Sequence, residues 1–470
     1  MWGTLQGMIL PTLHSVGRAL HDHPVVTGLY LALVLATVAM LARALWRGEA
    51  RQAYWWSVGF GLVSTAFGWG DDAFTHSYRI IALAEQYRAG ETGMMLTNPT
   101  TGQVLPVFVF YSVLPYLPGT ALDLLGVPGW IAFKLVMFGQ YLLLAWGLQA
   151  LLDHARPADA PASRVTVDFV VGILFLQANY VFTLWPGRAA LTELWVYSLV
   201  LAQALICEIA VPFCLSSLSL RAFLRRWAGP LALALALAAP FWAAQFAWKD
   251  LILGPAGLPV EFDHTFRTLT GLVHGRDFRS IGPWMPLALL IAVVAARGRL
   301  DGRFWLATAL TVALLLMQWT GVRTLVSKVP VLNLSVFVWR LMLPAAFLAF
   351  GAVLIGWRQL ARPPLGLLST LAVLSALAML WGSLVNKDKV FDIIANPPDD
   401  RAALVEYDRG DGIFGIREFL PHLELLPTLC PPDDEVQRAS HNDLRRGVVA
   451  RKPYIAVRDG EFGFVSYNAP

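Results

Sequence analysis

Long, nearly uncharged apolar segments recur along most of the chain and constrain its fold more than any other feature. A helix that crosses the hydrocarbon core of a bilayer needs about 20 mostly apolar residues. Segments of about this length lie at 24–46, 53–70, 130–152, 165–184, 190–211, 229–249, 283–297, 303–322, 338–357 and 365–384. We therefore expect an all-α polytopic membrane protein with about ten transmembrane helices.

The composition excludes the other broad classes of protein. The chain is 57% hydrophobic and 14% charged, with a mean hydropathy of +0.57. Soluble domains contain roughly 25% charged residues, and disordered chains are poor in apolar residues. The net charge of +4 does not indicate a nucleic-acid partner, because basic residues in such a chain normally mark cytoplasmic loops.

Arginines in the short turns between the apolar segments predict the orientation of the chain. Each of these turns falls on the same side if all the segments above span the membrane, and that side is then cytoplasmic. Both termini are consequently predicted to be extracytoplasmic. The arginines are Arg43, Arg47 and Arg51, then Arg156 and Arg164, then Arg221, Arg225 and Arg226, then Arg297, Arg299 and Arg303, and finally Arg358 and Arg362.

This topology divides the chain into regions. Residues 1–23 have no cleavage pattern and are predicted to be an interfacial N-terminal segment. Residues 24–384 form the transmembrane domain, which includes a long outer loop at 71–128. Residues 385–470 change sharply in composition and are predicted to be a small β-containing or α/β outer tail. Within it, two short apolar runs flank Asp459-Gly460, a sequence typical of a hairpin turn.

Residues 104–125 are apolar enough to be counted as a further span. If they were counted, Arg156 and Arg164 would lie on the opposite side of the membrane from Arg47. The segment also contains Pro106, Pro115 and Pro118, and proline interrupts a helix. We predict a helix that lies at the outer interface, where tyrosines such as Tyr116 suit the head-group level.

The first polar cluster follows the second apolar segment. Asp71 and Asp72 are adjacent, and Asp72, His76 and Arg79 are spaced i, i+4 and i+7, so a helix would place them on one face. The simpler interpretation is a helix cap followed by a solvated face. Adjacent acids followed by histidine and arginine on the same face favour a functional site.

Two more polar groups lie at outer helix ends. Arg188 and Glu193 open one apolar segment, and Arg340 lies just inside another. Snorkelling to the interface explains the arginines structurally, whereas an acid that enters an apolar segment normally has a partner or a function. A secondary transporter would place such groups near the bilayer midplane. The pattern therefore favours a reaction at the outer membrane surface.

The run DDAFTHSYRIIALAEQYRAGE contains Asp, then His-x-x-Arg, then Ala-Glu-x-x-Arg-x-Gly. This pattern resembles that of a bacterial multi-span membrane family called 6-pyruvoyl-tetrahydropterin-synthase-related. LPVFVFYSVLPYLPGTALDLLG, GRAALTEL, VPVLNLSVFVWRLML and GIREFLPH resemble later motifs in the same order. The matching residues include Asp72, His76, Arg79, Ala84, Glu85, Arg88, Gly90, Arg188, Ala190, Glu193, Asn333, Trp339 and Arg340.

The family in turn resembles membrane glycosyltransferases of the GT-C superfold. Those enzymes carry an acidic residue or pair in the first outer loop, followed by interfacial helices, and use polyprenyl-phosphate sugars. The resemblance implies a GT-C-like protein of the bacterial cytoplasmic (inner) membrane that transfers a sugar at its outer face. The implied partners are a lipid-linked sugar donor, membrane lipid, and a glycan, lipid or protein acceptor.

Glycosyl transfer needs a base for the acceptor hydroxyl and cations or donors for the departing phosphate. We expect Asp72 to be the base, with Asp71 as the alternative or as a contact for the acceptor or a divalent metal ion. Arginine suits the lipid phosphate because guanidinium binds phosphate oxygens bidentately. The expected substrate-binding residues are His76, Arg79, Arg188, Glu193 and Arg340.

Two other functions fit the same layout. The protein could be a non-catalytic scaffold or export component for cell-envelope polysaccharide, with a partner-binding tail and a structural Asp71-Asp72 pair. A transporter or flippase would instead require a polar path through the bilayer.

Overall fold

A computed structural model gives the arrangement of the helices. It describes residues 16–67, 73–91, 96–97, 104–105, 113, 116–154, 156, 159–178, 213, 219–229, 232–233, 236, 239, 266–274, 280–296, 299–327, 341–385, 453–458 and 461–466.

The described chain is mostly helical. The longer helices are α1 (Pro24–Trp46), α2 (Ala50–Phe67), α3 (Ala73–Arg88), α4 (Leu117–Leu124), α5 (Gly129–His154), α6 (Ala162–Leu176), α8 (Trp284–Ala296), α9 (Gly302–Leu316), α11 (Met342–Arg358) and α12 (Leu365–Val385). The shorter ones are α7 (Leu269–His274), a 3-10 turn at Thr320–Val322, and α10 (Arg323–Ser327). The strands are β1 (Leu96–Thr97), β2 (Val104–Leu105), β3 (Pro453–Arg458) and β4 (Glu461–Ser466).

Helices occupy the predicted apolar segments wherever the structure describes a complete element there. The segment 190–211 and most of 229–249 lie outside the described residues. Within the described residues, α1 and α5 are long and apolar enough to cross a membrane, by length and composition. Four shorter apolar helices accompany them, at Trp284–Ala296, Gly302–Leu316, Pro344–Arg358 and Leu365–Leu380.

The prediction of one helix over 104–125 is wrong. Residues 104 and 105 form strand β2, which pairs antiparallel with β1, and helix α4 begins only at Leu117. Pro118 lies in the first turn of α4, where its fixed φ is compatible with a helix and its missing N–H is not needed. The 8 residues of α4 extend only about 12 Å, so this helix cannot span a bilayer.

The C-terminal strands form a hairpin. β3 and β4 pair antiparallel, from Pro453 opposite Ser466 to Arg458 opposite Glu461. The hairpin coincides with the two short apolar runs around Asp459-Gly460. The rest of the tail, at 386–452, 459–460 and 467–470, lies outside the described residues, and the assignment of the tail as an outer segment stays a prediction.

Helix α6 is central among the described helices. It packs against α2, α5, α8, α11 and α12. Every residue from Val167 to Leu176 is buried, so the helix has no solvent-facing stripe. Its only charged residue in this buried run is Asp168, which is 0% exposed.

Two arginines compensate the buried carboxylate of Asp168. Arg156 Nε donates to Asp168 Oδ2 over 3.1 Å, and Arg358 Nε donates to Oδ1 over 2.7 Å. Arg156 follows α5 and Arg358 ends α11, so one carboxylate joins three helices. A buried charge is tolerated only when it is paired in this way.

Other helix ends gather at the same place. Arg51, at the start of α2, donates to Asp153 Oδ1 near the end of α5 over 2.7 Å. The backbone N–H of Asp301, before α9, donates to Gln359 Oε1, directly after α11, over 3.1 Å. We call this region, defined by Arg51, Arg156 and Arg358, the arginine end. These contacts bring together helix ends that contain the arginines of the short turns. The sequence predicts that these turns all lie on the cytoplasmic side.

Replacement of Asp168 tests how much the helices depend on this pairing. Asp168→Asn removes the carboxylate that pairs with both Arg156 and Arg358, and Arg156 then keeps only its ion pair with Asp153. We expect a loss of about 3–5 kcal/mol in the free energy of unfolding. Thermal unfolding of the purified protein in detergent measures the change. The matched variant Asp153→Asn, whose side chain is 33% exposed, should cost about 1 kcal/mol or less. Equal losses from the two variants would contradict a special role for the buried carboxylate.

Candidate functional site

Helix α3 starts directly after the acidic pair. Asp71 and Asp72 themselves lie outside the described residues, and α3 begins at Ala73. The helix packs against α4 and α5 and buries the side chains of His76 and Arg79, which are 7% and 1% exposed. Residues spaced i and i+3 lie on the same helix face. The sequence prediction that His76 and Arg79 share one face is therefore confirmed.

The hydroxyl of Tyr116 joins these two side chains. His76 Nδ1 lies 2.7 Å from Tyr116 Oη, and Arg79 Nη1 donates to the same oxygen over 3.0 Å. A hydroxyl can accept twice and donate once. Tyr116 can therefore donate to a neutral His76 while accepting from Arg79, or accept from both when His76 is protonated. We call these three residues the His76–Tyr116–Arg79 cluster.

Aromatic contacts complete the surroundings of the cluster. The ring of His76 stacks on Phe133 of α5, with centroids 6.1 Å apart and planes inclined by 12°. The guanidinium of Arg79 lies over the Tyr116 ring, 6.0 Å from its centroid. Such contacts favour the observed orientation of both side chains. The cluster is therefore a preorganised polar group inside an apolar packing layer.

A second polar contact holds the far end of α3. Arg88 Nη2 donates to Asp123 Oδ1 over 2.9 Å and to the backbone oxygen of Asp123 over 2.8 Å, and Arg88 also pairs with Glu85. Burial lowers the pKa of Arg88, but hydrogen bonds and charge attraction from Asp123 and Glu85 outweigh it and raise the pKa above its ordinary value. Asp123 has a 5% exposed side chain, so the contact fixes α3 to the end of α4.

A glycine ends helix α3. Gly90 has φ of 80°, the left-handed region, and its N–H bonds to the carbonyl of Tyr87 while the next N–H bonds to Gln86. This arrangement is a Schellman cap, which needs a residue without Cβ strain. The positive φ explains in physical terms why the residue at position 90 is a glycine.

The remaining predicted site residues lie outside the described residues. These are Asp71, Asp72, Arg188, Glu193 and Arg340. The structure therefore brings together His76 and Arg79 among the predicted set. In the described part of the chain, no group of three or more His, Cys, Asp or Glu side chains is arranged to hold a metal ion.

Sequence reasoning missed Tyr116 as a member of the site. It assigned Tyr116 only to the head-group level, in a segment that it interpreted as one interfacial helix. The residue is 40 positions from His76 and 37 from Arg79, so no local spacing connects them. The aromatic VLPY sequence before α4 was the only available signal.

Comparison with known proteins gives no match: no family model, no curated protein and no solved structure is significantly similar to this chain.

Removal of the bridging hydroxyl tests the cluster. Tyr116→Phe leaves the buried polar groups of His76 and Arg79 without a shared partner, and we expect a loss of about 1–3 kcal/mol in the free energy of unfolding. Thermal unfolding in detergent measures it. Tyr87 is a partly buried tyrosine on the same helix, so Tyr87→Phe serves as the matched control. It should change the free energy of unfolding by less than about 0.5 kcal/mol. Unchanged stability in Tyr116→Phe would show that the hydroxyl bonds contribute nothing.

The packing of α3 on α5 can be tested separately. A Cβ at Gly129 would lie 2.2 Å from Ile81 Cγ1, whereas a Cβ at Gly139, on the same helix, has open space. We expect Gly129→Ala to destabilise the protein by about 1–3 kcal/mol through overpacking. Gly139→Ala should be neutral or stabilise it by up to about 1 kcal/mol, because alanine favours a helix. A neutral Gly129→Ala variant would contradict the close approach of α3 to α5.

Proposed function

We propose that the chain is a membrane glycosyltransferase-like protein with about ten transmembrane helices in a GT-C-like arrangement. It transfers a sugar from a polyprenyl-phosphate donor to an acceptor on the outer face of the bacterial cytoplasmic membrane. The observation that carries the proposal is the His76–Tyr116–Arg79 cluster on the helix that begins directly after Asp71-Asp72.

Exposed apolar side chains support the membrane part of the proposal. Only 33% of the most apolar window is buried in α1, and the same share in α5. Large side chains on the uncovered surfaces include Leu35, 56% exposed, Leu143, 60% exposed, and Trp146, 64% exposed. Water-exposed surfaces of this kind are unfavourable, whereas lipid tails suit them. In this proposal the arginine end faces the cytoplasm, because arginine is in excess in its turns and cytoplasmic loops are rich in arginine.

The proposed chemistry begins at the acidic pair. Asp72 removes the proton from the acceptor hydroxyl as this oxygen attacks the anomeric carbon of the donor, and the bond from that carbon to the polyprenyl phosphate breaks. Asp71 is the alternative base, or contacts the acceptor or a divalent metal ion. His76 follows Asp72 by four residues in the sequence and orients the base or holds the acceptor.

Positive charge stabilises the phosphate that leaves. The proposal assigns this role to Arg188 and Arg340, with Glu193 orienting Arg188. Arg79 was expected to share the role, but it is 1% exposed and donates to Tyr116. Its burial favours a positioning role, in which Arg79 holds Tyr116 and, through it, His76.

The same burial favours a second candidate function. His76 and Arg79 are both enclosed by α4 and α5 and bonded to Tyr116, as expected of a structural polar cluster. In this alternative the protein is a non-catalytic scaffold or export component for cell-envelope polysaccharide. The acidic pair then only caps α3, and the tail binds a partner.

Substitution of the base distinguishes the two functions. Asp72→Asn keeps the size of the side chain but removes its basicity, so we expect transfer from a polyprenyl-phosphate sugar in membranes to fall about 10²–10⁴-fold. The radiolabelled sugar that reaches the acceptor fraction is the readout. Asp159→Asn, an exposed acid in the turn between α5 and α6, is the matched control and should keep full activity.

Two results would contradict the assignment. Full activity of Asp72→Asn with Asp71 in place would exclude Asp72 as the base. Loss of envelope polysaccharide on deletion of the protein, with full complementation by the Asp71→Asn and Asp72→Asn double variant, would favour the scaffold.

A further inference from the structure

A groove of about 280 Å³ lies at the turn between α1 and α2. The turn is set by Gly48, whose φ of 73° allows its N–H to bond to Leu45 and the next N–H to bond to Ala44. This Schellman cap folds α2 back along α1 and leaves the groove between them. Its lining residues are Met40, Arg43, Ala44, Arg47, Glu49, Gln52 and Trp56.

Within the described part of the chain, the charged groups that line this groove have no partner. Arg43 and Arg47 are spaced i and i+4, so their guanidinium groups lie one turn apart on the same side of α1. Within the described residues, the side chains of Arg43, Arg47 and Glu49 make no hydrogen bond or ion pair. Nearby Arg51, by contrast, pairs with Asp153. Two cations and one anion therefore line a concave site with their binding capacity available.

Apolar side chains also line the groove. Met40 and Trp56 line it beside the charged groups. Tryptophan is enriched at membrane interfaces, where its ring contacts both apolar chains and polar head groups. Further along the same face of α1, Leu33 and Leu29 are 39% and 52% exposed, so an apolar surface continues from the groove. A ligand with a charged head and an apolar body fits a charged groove that continues into an apolar surface.

We propose that the groove binds the head group of a zwitterionic glycerophospholipid with a primary ammonium, such as phosphatidylethanolamine. The phosphodiester pairs with Arg43 and Arg47, because guanidinium is the side chain best suited to phosphate oxygens. The ammonium pairs with Glu49, a carboxylate that would repel a purely anionic ligand. The volume is near the lower limit of small-molecule sites, so it admits the head group and leaves the acyl chains along α1.

This inference rests on the membrane location within the proposed function but not on sugar transfer. The groove is at the arginine end, whereas the His76–Tyr116–Arg79 cluster is at the opposite ends of α2 and α5. Lipid binding and glycosyl transfer can consequently fail independently, and the lipid experiment requires no donor sugar.

Equilibrium binding to the purified full chain in detergent tests the inference. Short-chain phosphatidylethanolamine, short-chain phosphatidylglycerol and inorganic phosphate are titrated separately, with native mass spectrometry as the readout. We expect phosphatidylethanolamine to bind most tightly. The Arg43→Gln and Arg47→Gln double variant should weaken its binding by on the order of tenfold or more, because charge-assisted hydrogen bonds to the phosphate are lost.

A matched double variant controls for total charge. Arg221→Gln with Arg225→Gln removes the same charge from exposed helical positions that do not line the groove, and lipid affinity should be unchanged. Glu49→Gln should reduce affinity for phosphatidylethanolamine and abolish its preference over phosphatidylglycerol. This variant changes the ranking of ligands, which a general loss of stability would not do.

Several results would overturn the proposal. Equal binding of the lipid by the parent protein and the Arg43→Gln and Arg47→Gln double variant would exclude the groove as the lipid site. Inorganic phosphate that binds the parent as tightly as the lipid would indicate a site for free anions. A preference for phosphatidylglycerol in the parent would refute the ammonium assignment. The ranking in the parent protein is decisive even if a variant fails to fold.

Discussion

The buried carboxylate of Asp168 is the interaction on which the remaining packing depends. Residues 167–176 of α6 are all buried, and Asp168 is the one charged residue among them. Its burial is possible because Arg156 and Arg358 neutralise the carboxylate. These arginines come from the ends of α5 and α11, so the ion pairs also specify which helix ends meet. An apolar surface alone is non-directional and would allow many helix arrangements, whereas a buried charge with two partners allows few.

The cluster on α3 illustrates a different use of buried polarity. Asp168 joins three helices by charge, but Tyr116 joins His76 and Arg79 through one shared hydroxyl. A shared oxygen makes the two side chains interdependent, because a change in the protonation of His76 alters what Tyr116 can offer Arg79. In the proposed function, this dependence would link the protonation of His76 to the position of Arg79.

Local regularities were predictable from the sequence, and long-range contacts were not. The 3.6-residue helical period correctly placed His76 and Arg79 on one face, and α1 has the same ends as its predicted apolar segment. The interpretation of 104–125 failed because hydropathy does not distinguish a helix from a strand paired with residues 96 and 97. Tyr116 was missed because its role depends on how the start of α4 packs against α3, which no local pattern shows.

Helix α5 connects the two regions in one rigid element. Its 26 residues extend about 39 Å, from Gly129 and Phe133 against α3 to Asp153 at the arginine end. The hydrocarbon core of a bilayer is about 30 Å thick. In the proposed orientation, α5 therefore holds the His76–Tyr116–Arg79 cluster near the outer surface while its arginine end reaches the cytoplasmic head groups. Because the Asp153 and Asp168 ion pairs anchor one end of α5, in that orientation they also set the depth at which α5 holds α3.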